Sequence, residues 1–407
     1  MNLLRLAWRN IQRNRRRSRV TVLIASVGAA SILISSGFAL YTYNALRDAA
    51  ARESGHLTAA HREYFQRDEE TPLQWGLDDH AALAARLKQD PQVTRVLPRL
   101  AFSGLVSNGE KSMIFMGHGV DIGGETAARG QFLKLLEGSL PADTASSAVD
   151  SPQVLLGKDL ARSLGAKPGS GLTLLGTTTA GSLNAIDVQV AGLVSTGVPD
   201  VDKRLVFSDL AAAQRLLATD KVSTLAVFLN DSDLTAPLLE TLRRDDPAHA
   251  WQPWWDQAFY YTAVRGLYNR IFGLLGIIIG ALVFFSVTNT LAMAVVERTR
   301  EIGTLRALGA LPKEIVAQFV AEGALIGGLG AAIGMAVAAA ASATLQIAGL
   351  QMPPPPGRSD GYPLLVNISP TLYVFTVVAI GLLCATAAWI VSRKAAAKPI
   401  VEALGHV

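Results

Sequence analysis

Cysteine is all but absent from this chain: of 407 residues only Cys384 carries a thiol. An intramolecular disulfide is therefore excluded, as is a Cys-ligated zinc or iron–sulfur site within one chain. Charge is scarce as well. Asp, Glu, Lys and Arg make up 17% of the residues, against roughly 25% in ordinary soluble domains. Half of the residues are hydrophobic and the mean hydropathy is +0.30. A chain of this length would ordinarily make two or three soluble domains, but this balance assigns part of it to lipid. Motifs that carry chemistry are missing too. No G-x-x-x-x-G-K-S/T occurs, and the glycine-rich stretch 323–334 lies in an apolar run without lysine, so the chain has no Walker-type phosphate cradle. His56 and His61 lack the H-E-x-x-H spacing of a helix-borne metal site, and His118 has no neighbouring Cys or His. Ser26, Ser31, Ser35 and Ser36 have no His, Lys or Asp in another apolar run to activate them. These absences argue against an enzyme, and against a metal or cofactor held by this chain.

What the sequence does contain is four uncharged apolar runs, at 20–43, 272–296, 323–350 and 372–391. Each reaches the roughly 18–25 residues that span a hydrocarbon core about 30 Å thick. Transmembrane helices are predicted at 20–43, 271–296, 315–350 with a cytoplasmic extension, and 370–392. The first run is too long for a signal-peptide core and is read as a retained anchor. Arg5, Arg9, Arg13, Arg15, Arg16, Arg17 and Arg19 precede it, Arg298, Arg300, Arg306 and Lys313 lie between the second and third runs, and Arg393, Lys394 and Lys398 follow the fourth. The third connection, 351–369, is Pro-rich and has only Arg358. The positive-inside rule then puts both termini and the 297–314 loop in the cytoplasm. The arginine cluster adjoins a span, which favours a membrane surface over nucleic acid. Residues 1–19 place Leu3, Leu4, Ala7, Trp8 and Ile11 on one helical face, the pattern of an amphipathic helix lying on the cytoplasmic leaflet.

Residues 44–270 are left outside, more than half the chain, and read as an α+β domain. Helices are expected after Asp78 and Asp79, which can cap the first of them, and at 158–164, 209–218 and 234–244. Strands are expected at 93–97, 102–106, 113–116, 153–156, 172–175, 186–191 and 224–229, with an exposed loop at 142–151. Trp251, Trp254, Trp255, Phe259, Tyr260, Tyr261 and Tyr268 precede the second span and suit an interfacial aromatic belt. Phe38, Leu40, Tyr41 and Tyr43 end the first span outward. Together with Phe259, Tyr260, Tyr261 and Tyr268 they are candidate contacts for an amphiphilic cargo or a partner chain. Gly276/Gly280 and Gly330/Gly334 are small-xxx-small pairs that let helices approach closely.

The cytoplasmic loop has the most specific residues. Glu297, Arg298, Arg300, Glu301, Ile302, Leu305, Arg306, Leu308 and Gly309 form a short helical segment in which Ile302, Leu305 and Leu308 fall on one apolar ridge between basic residues. With Ala7-Trp8-Arg9-Asn10-Ile11 before a basic run, Glu322 opening a Gly-rich third span and the tail Lys398-Pro399-Ile400-Val401-Glu402-Ala403-Leu404, this segment resembles the FtsX/MacB/LolC-type permeases of ABC systems, the type VII or mechanotransmission family. The order of one span, a large outside domain and three spans matches along the whole chain.

The resemblance implies a bacterial inner-membrane protein with two permease subunits beside an ABC ATPase dimer. The 297–309 segment would be the coupling helix, and ATP and Mg would be bound by the ATPase. In the MacB branch the ATPase is fused ahead of the first span; no such segment stands here, so a separate ATPase chain is expected. A second permease, identical or paralogous, is a further expected partner, and a membrane-fusion protein or periplasmic carrier is a candidate one. The implied function is export or extraction of lipoprotein, lipid, peptide or drug. The alternative is an FtsX-like regulator that moves nothing and activates a cell-wall hydrolase.

Overall fold

A computed structural model describes residues 3–13, 15–141, 151–354, 359, 361–397 and 399. Of the expected loop at 142–151, all but Ser151 lies outside these residues. In chain order the helices are α1 (Leu3–Arg13), α2 (Arg15–Ser54), α3 (His80–Leu87), α4 (Ile122–Arg129), α5 (Lys158–Leu164), α6 (Pro199–Asp202), α7 (Leu210–Leu217), α8 (Thr235–Asp245), α9 (Trp254–Gln257), α10 (Phe259–Glu297), α11 (Thr299–Ala307), α12 (Pro312–Ala348) and α13 (Pro370–Ala396). The longer strands are β1 (Leu57–His61), β2 (Val93–Ser107), β3 (Ser112–Val120), β4 (Lys134–Gly138), β5 (Gln153–Gly157), β6 (Gly171–Thr177), β7 (Leu183–Ser195), β8 (Leu205–Asp209), β9 (Thr224–Leu229) and β10 (His249–Pro253). The chain divides into a helical unit of Met1–Tyr43, Val264–Gln351 and Pro363–Val407, and an inserted domain of Asn44–Ala263 with Met352–Tyr362.

Four helices, α2, α10, α12 and α13, are long and apolar enough to cross a membrane. α2 has 40 residues, about 60 Å at 1.5 Å per residue, so the helix continues past both ends of its apolar run. Nothing in its Arg- and Ala-rich flanks breaks a helix. It stops at Gly55, whose φ of +90° only glycine adopts readily. Inside the helical unit α12 packs through small residues. A Cβ on Gly330 would lie 2.5 Å from the Ala25 side chain of α2, and one on Gly323 would lie 2.7 Å from the Cys384 carbonyl oxygen of α13. The Gly330/Gly334 pair is thus a close-approach surface. Gly276 is not, since a Cβ there would meet nothing within 4 Å.

The N-terminal amphipathic helix is shorter than 1–19: α1 ends at Arg13 and Arg15 already belongs to α2. One face of α1 packs on protein. Ala7 is fully buried, and the Asn10 amide donates to Glu322 Oε1 of α12 at 2.5 Å. A small residue facing α12 allows that approach.

The inserted domain is built on a mixed sheet in the order β10-β1-β9-β2-β3-β8-β5-β7-β4, with β6 pairing β2 and β7. β3/β8 and β5/β7 run parallel. The helix at Lys158–Leu164 and the strand at Thr224–Leu229 lie where expected. Alternation sets the core: Val154, Leu156, Leu174, Val188, Val190 and Val206 are buried together under α5 and α7.

Three expectations need correction. The strands at 93–97 and 102–106 are one strand, β2; Pro98 removes a donor but its fixed φ is compatible with extended backbone. Asp79 precedes α3 without capping it, and its carboxylate instead lies 3.2 Å from His249 Nε2. Trp251 and Trp254 do not form an interfacial belt. Each is 4% exposed, and Trp251 sits in β10 beside β1, packed with Leu57, Leu225 and Leu238.

Candidate functional site

The connection from α10 to α12 is a helix–turn built by local rules. α10 ends at Glu297, Arg298 leaves helical geometry, and α11 restarts at Thr299. α11 closes with a Schellman pair: the Ala310 N–H donates to Leu305 O at 3.0 Å and the Gly309 N–H donates to Arg306 O at 3.0 Å. That reversal needs the φ of +98° that Gly309 supplies. α12 then starts with Pro312 in its first turn, and Glu314 Oε2 accepts the Leu311 N–H at 3.0 Å. Each of these signals is local, which is why the segment is legible as a unit.

The ridge expected from helical spacing is split. Ile302 is 5% exposed and packs inward on Val295, Ile315, Phe319 and Ala396. Leu305 and Leu308 are 43% and 80% exposed, and Leu311, which the spacing argument left out, is 48% exposed. The outward apolar set is therefore Leu305, Leu308 and Leu311, at i, i+3 and i+6 across the turn. Ile302 could not join it because a second row of apolar residues on α12 and α13 covers it. Arg300 is exposed and Arg306 is half-buried.

Most of the polar residues of the segment face back into the helical unit. Arg298 donates to Glu301 Oε2 at 3.0 Å and to Glu322 Oε1 at 3.2 Å, with its guanidinium 5.5 Å above the Phe319 ring. Arg13 of α1 pairs with Glu301 at 2.8 Å and Arg17 of α2 pairs with Glu297 at 2.6 Å. Partial burial opposes the Glu301 charge, but the hydrogen bonds from Arg298 and Arg13 outweigh it and hold its carboxyl below the ordinary range. Charge-assisted bonds thus tie α11 and its first flanking residue to α1 and α12, and tie the last residue of α10 to α2. Glu322 also accepts from Asn10, a direct link between positions 312 residues apart that leaves no sequence signal.

The aromatic candidates separate. In the helical unit Tyr268 packs 6.3 Å from both Phe38 and Tyr43, and the Tyr43 hydroxyl donates to Asn269 Oδ1 at 2.8 Å. Leu40 and Tyr41 are half-buried. In the inserted domain Tyr261 packs edge-on against Trp254 at 4.8 Å, while Phe259 and Tyr260 are 83% and 51% exposed.

A charge cluster that the sequence did not reveal lies inside the inserted domain. Glu125 of α4, 1% exposed, receives Arg99 of β2 at 2.7 Å and Arg129 at 2.5 Å. Arg99 also donates to the Glu53 carbonyl oxygen in the last turn of α2 at 2.7 Å. Burial opposes the Glu125 charge, but Arg99 and Arg129 prevail and keep its carboxyl below the ordinary range. Nearby His118, its ring 5.6 Å from that of Phe207, is pushed down to about 4 by burial and by Arg129 and Arg99.

Residues 18–245 match the MacB-like periplasmic core domain family, and residues 273–400 match the FtsX-like permease C-terminal family. The chain is 33% identical over 194 residues to the lipoprotein-releasing system transmembrane protein LolC of Neisseria meningitidis serogroup B, covering 45% of this chain and 46% of that one. It is 26% identical to LolC of Xylella fastidiosa over 78% of this chain and 72% of that one. It is 28% identical to the pyoverdine export ATP-binding/permease protein PvdT of Pseudomonas putida over 85% of this chain and 53% of that one. The matches thus span about half the length of the Neisseria LolC and of PvdT.

Proposed function

This chain belongs to the FtsX-like permease family with a MacB-like periplasmic core domain between its first two spans, and from that membership we propose that it is an inner-membrane ABC permease subunit driven by a separate ATPase chain. ATP and Mg are bound by that ATPase, two copies of which stand beside two permeases. Both termini and α11 face the cytoplasm, and the inserted domain faces the periplasm. α11 seats in the ATPase, and its movement reaches the spans through the Arg298, Glu301 and Glu322 bonds. The cargo is an amphiphile; the named relatives include a lipoprotein-releasing protein and a pyoverdine exporter. Phe259 and Tyr260 are the aromatic candidates exposed enough to meet it.

The observation that carries this reading is the outward set Leu305, Leu308 and Leu311, at the end of a short helix and around the turn that follows it, between two apolar spans. Three exposed leucines around one turn are unfavourable in water and fit a protein cleft. Replacing all three by Asp should leave membrane insertion intact and reduce co-purification of the ATPase by more than tenfold, because an unpaired buried carboxylate costs several kcal/mol. A cysteine at position 304, labelled only from the cytoplasmic side, checks the orientation in the same preparation. Wild-type ATPase binding and turnover in the triple variant would show α11 to be an anchor and overturn the proposal.

A further inference from the structure

Where α1 meets α2, a cleft of about 440 Å³ opens within the helical unit, lined from α1, α2 and α12. Trp8 and Ile11 of α1, Leu23 of α2, and Leu329 and Ile333 of α12 make its wall apolar. Two cations of α2, Arg15 and Arg19, line it as well, and no carboxylate is among its described lining residues. The arginines of this stretch divide into two sets. Arg13 and Arg17 are paired with Glu301 and Glu297, whereas neither Arg15 nor Arg19 meets a carboxylate among the described residues. Arg15 donates through Nε to the Gln12 carbonyl oxygen at 3.2 Å, a neutral acceptor that leaves the guanidinium charge in place. The cleft also sits at the mouth of a span, since Arg19 is the last residue before the uncharged run at 20–43. From there the apolar wall continues. Val27 lies one turn beyond Leu23 on α2 and Val337 one turn beyond Ile333 on α12, and these four residues are 48–62% exposed. They form a track along two helices that Gly330 and Gly334 hold in close contact.

An apolar track that leads to two cations at headgroup depth, with a half-exposed tryptophan beside them, selects an amphiphile with a negative head. We propose that one anionic phospholipid, drawn from the leaflet on the α1 side, is bound in this cleft. Arg15 and Arg19 hold its phosphate, and an acyl chain runs along Leu23, Val27, Ile333 and Val337. A zwitterionic lipid would bring its own ammonium to the same cations and gain less. Free phosphate would leave the apolar track empty. Buried Ala7 and the bond from Asn10 to Glu322 already hold α1 on α12. The lipid packs on Trp8 and Ile11 of the same helix, so α1 is pinned between protein and lipid. The inference needs only that α2 and α12 lie in a bilayer, and it stands or falls separately from ATPase docking.

The test is native mass spectrometry of the full-length chain released from detergent and titrated with phosphatidylglycerol or phosphatidylcholine of matched acyl chains. Two basic residues near a membrane surface contribute enough to favour the anionic lipid roughly tenfold. Arg15→Gln with Arg19→Gln should abolish that preference, and Arg15→Lys with Arg19→Lys should keep it. Arg9→Gln with Arg16→Gln removes the same charge from exposed residues that do not line the cleft, and should leave the preference intact. Ile333→Trp, which narrows the apolar wall and leaves both cations, should lower retention of phosphatidylglycerol. Helical circular dichroism and a single gel-filtration peak establish that each variant is folded. Equal retention of the two lipids by the wild type, or an unchanged preference in the Arg15/Arg19 Gln variant, would overturn the proposal. An equal loss in the Arg9/Arg16 variant would overturn it too, by showing a diffuse basic surface in place of a site. So would displacement of the lipid by millimolar inorganic phosphate, which would reduce the cleft to an anion site.

Discussion

The helical unit and the inserted domain both bury charge, but they do so in different places. In the inserted domain the cluster of Arg99, Glu125 and Arg129 lies within the fold, with Glu125 1% exposed and each arginine 12% exposed. In the helical unit the centre holds no such cluster among its described residues. Its contacts there are Ala25, Ala29, Val283, Val287, Ala331 and Cys384, and the charges collect where α1, α11 and α12 meet. The reason is solvent. A charge in mid-bilayer has neither water nor an inexpensive partner, whereas a soluble domain can surround one carboxylate with two guanidinium groups. The inserted domain is therefore fixed by a tie in its interior. The helical unit packs through small residues at its centre, and its described charge ties gather at the end that carries the connector.

The largest effect should come from cutting that end tie. Glu322 is 5% exposed and accepts from both Asn10 and Arg298. Glu322→Ala leaves Arg298 without its buried partner, and removal of one member of such a pair costs about 3–5 kcal/mol. The thermal midpoint of the chain in detergent should fall accordingly. The double variant Arg298→Met with Glu322→Leu removes both charges and should recover most of the loss. Equal destabilisation in the single and double variants would mean that packing, not the uncompensated charge, holds α11 in place.

The second effect separates close-packed from open positions within the helical unit. Gly334→Leu drives a side chain into the Ser26 carbonyl oxygen and Ala29 of α2, which lie 2.5 and 2.6 Å from an ideal Cβ. Overpacking of that kind costs about 3 kcal/mol. Gly276→Leu meets no atom within 4 Å in this chain and should be close to neutral for the isolated subunit. Both can be read as the fraction of monodisperse protein after heating. If Gly276→Leu proves as harmful as Gly334→Leu, α10 is packed more tightly than its surroundings imply.

The four spans and the helix at 158–164 could be read from the sequence because each rests on a local signal: an uncharged run of sufficient length, or a short amphipathic turn closed by Gly165 at φ +67°. Gly309 at φ +98° and Pro312 in the first turn of α12 are local signals of the same kind around the turn after α11. The direction each side chain faces was harder to read. Spacing placed Ile302 with Leu305 and Leu308, but Phe319 and Ala396, distant in sequence, cover Ile302 and leave the other two outward. The aromatic cluster at 251–255 misled for a related reason. Its composition suits an interface, and only pairing of β10 with β1 turns Trp251 into core. The ties from Asn10 and Arg298 to Glu322, and from Arg99 to Glu125, depend on tertiary approach alone, and nothing periodic announces them.

The smallest effect concerns the interior of the inserted domain and can be isolated by pH. His118 is half-buried beside Phe207, and burial with the charges of Arg129 and Arg99 pushes it down to about 4 from an ordinary value near 6.5. Above pH 6.5 the imidazole is neutral in both the folded and the unfolded chain and costs nothing. As pH falls from 6.5 towards 4 the unfolded chain takes a proton that the folded domain refuses, so stability declines through that window and the loss is complete below it. A full shift of that size would be worth about 3 kcal/mol, and partial solvent access reduces it to about 2 kcal/mol. Glu125 acts lower on the scale. Its depressed carboxyl contributes stability that is present above the ordinary carboxylate range and is lost as pH falls through its own lower value. Chemical denaturation of the full chain, followed by the fluorescence of buried Trp251 and Trp254, should therefore show two acid limbs. His118→Gln should flatten the limb between pH 6.5 and 4 and leave the lower one. If the upper limb persists unchanged in that variant, the proton is taken up elsewhere and the Arg99, Glu125 and Arg129 cluster does not govern His118.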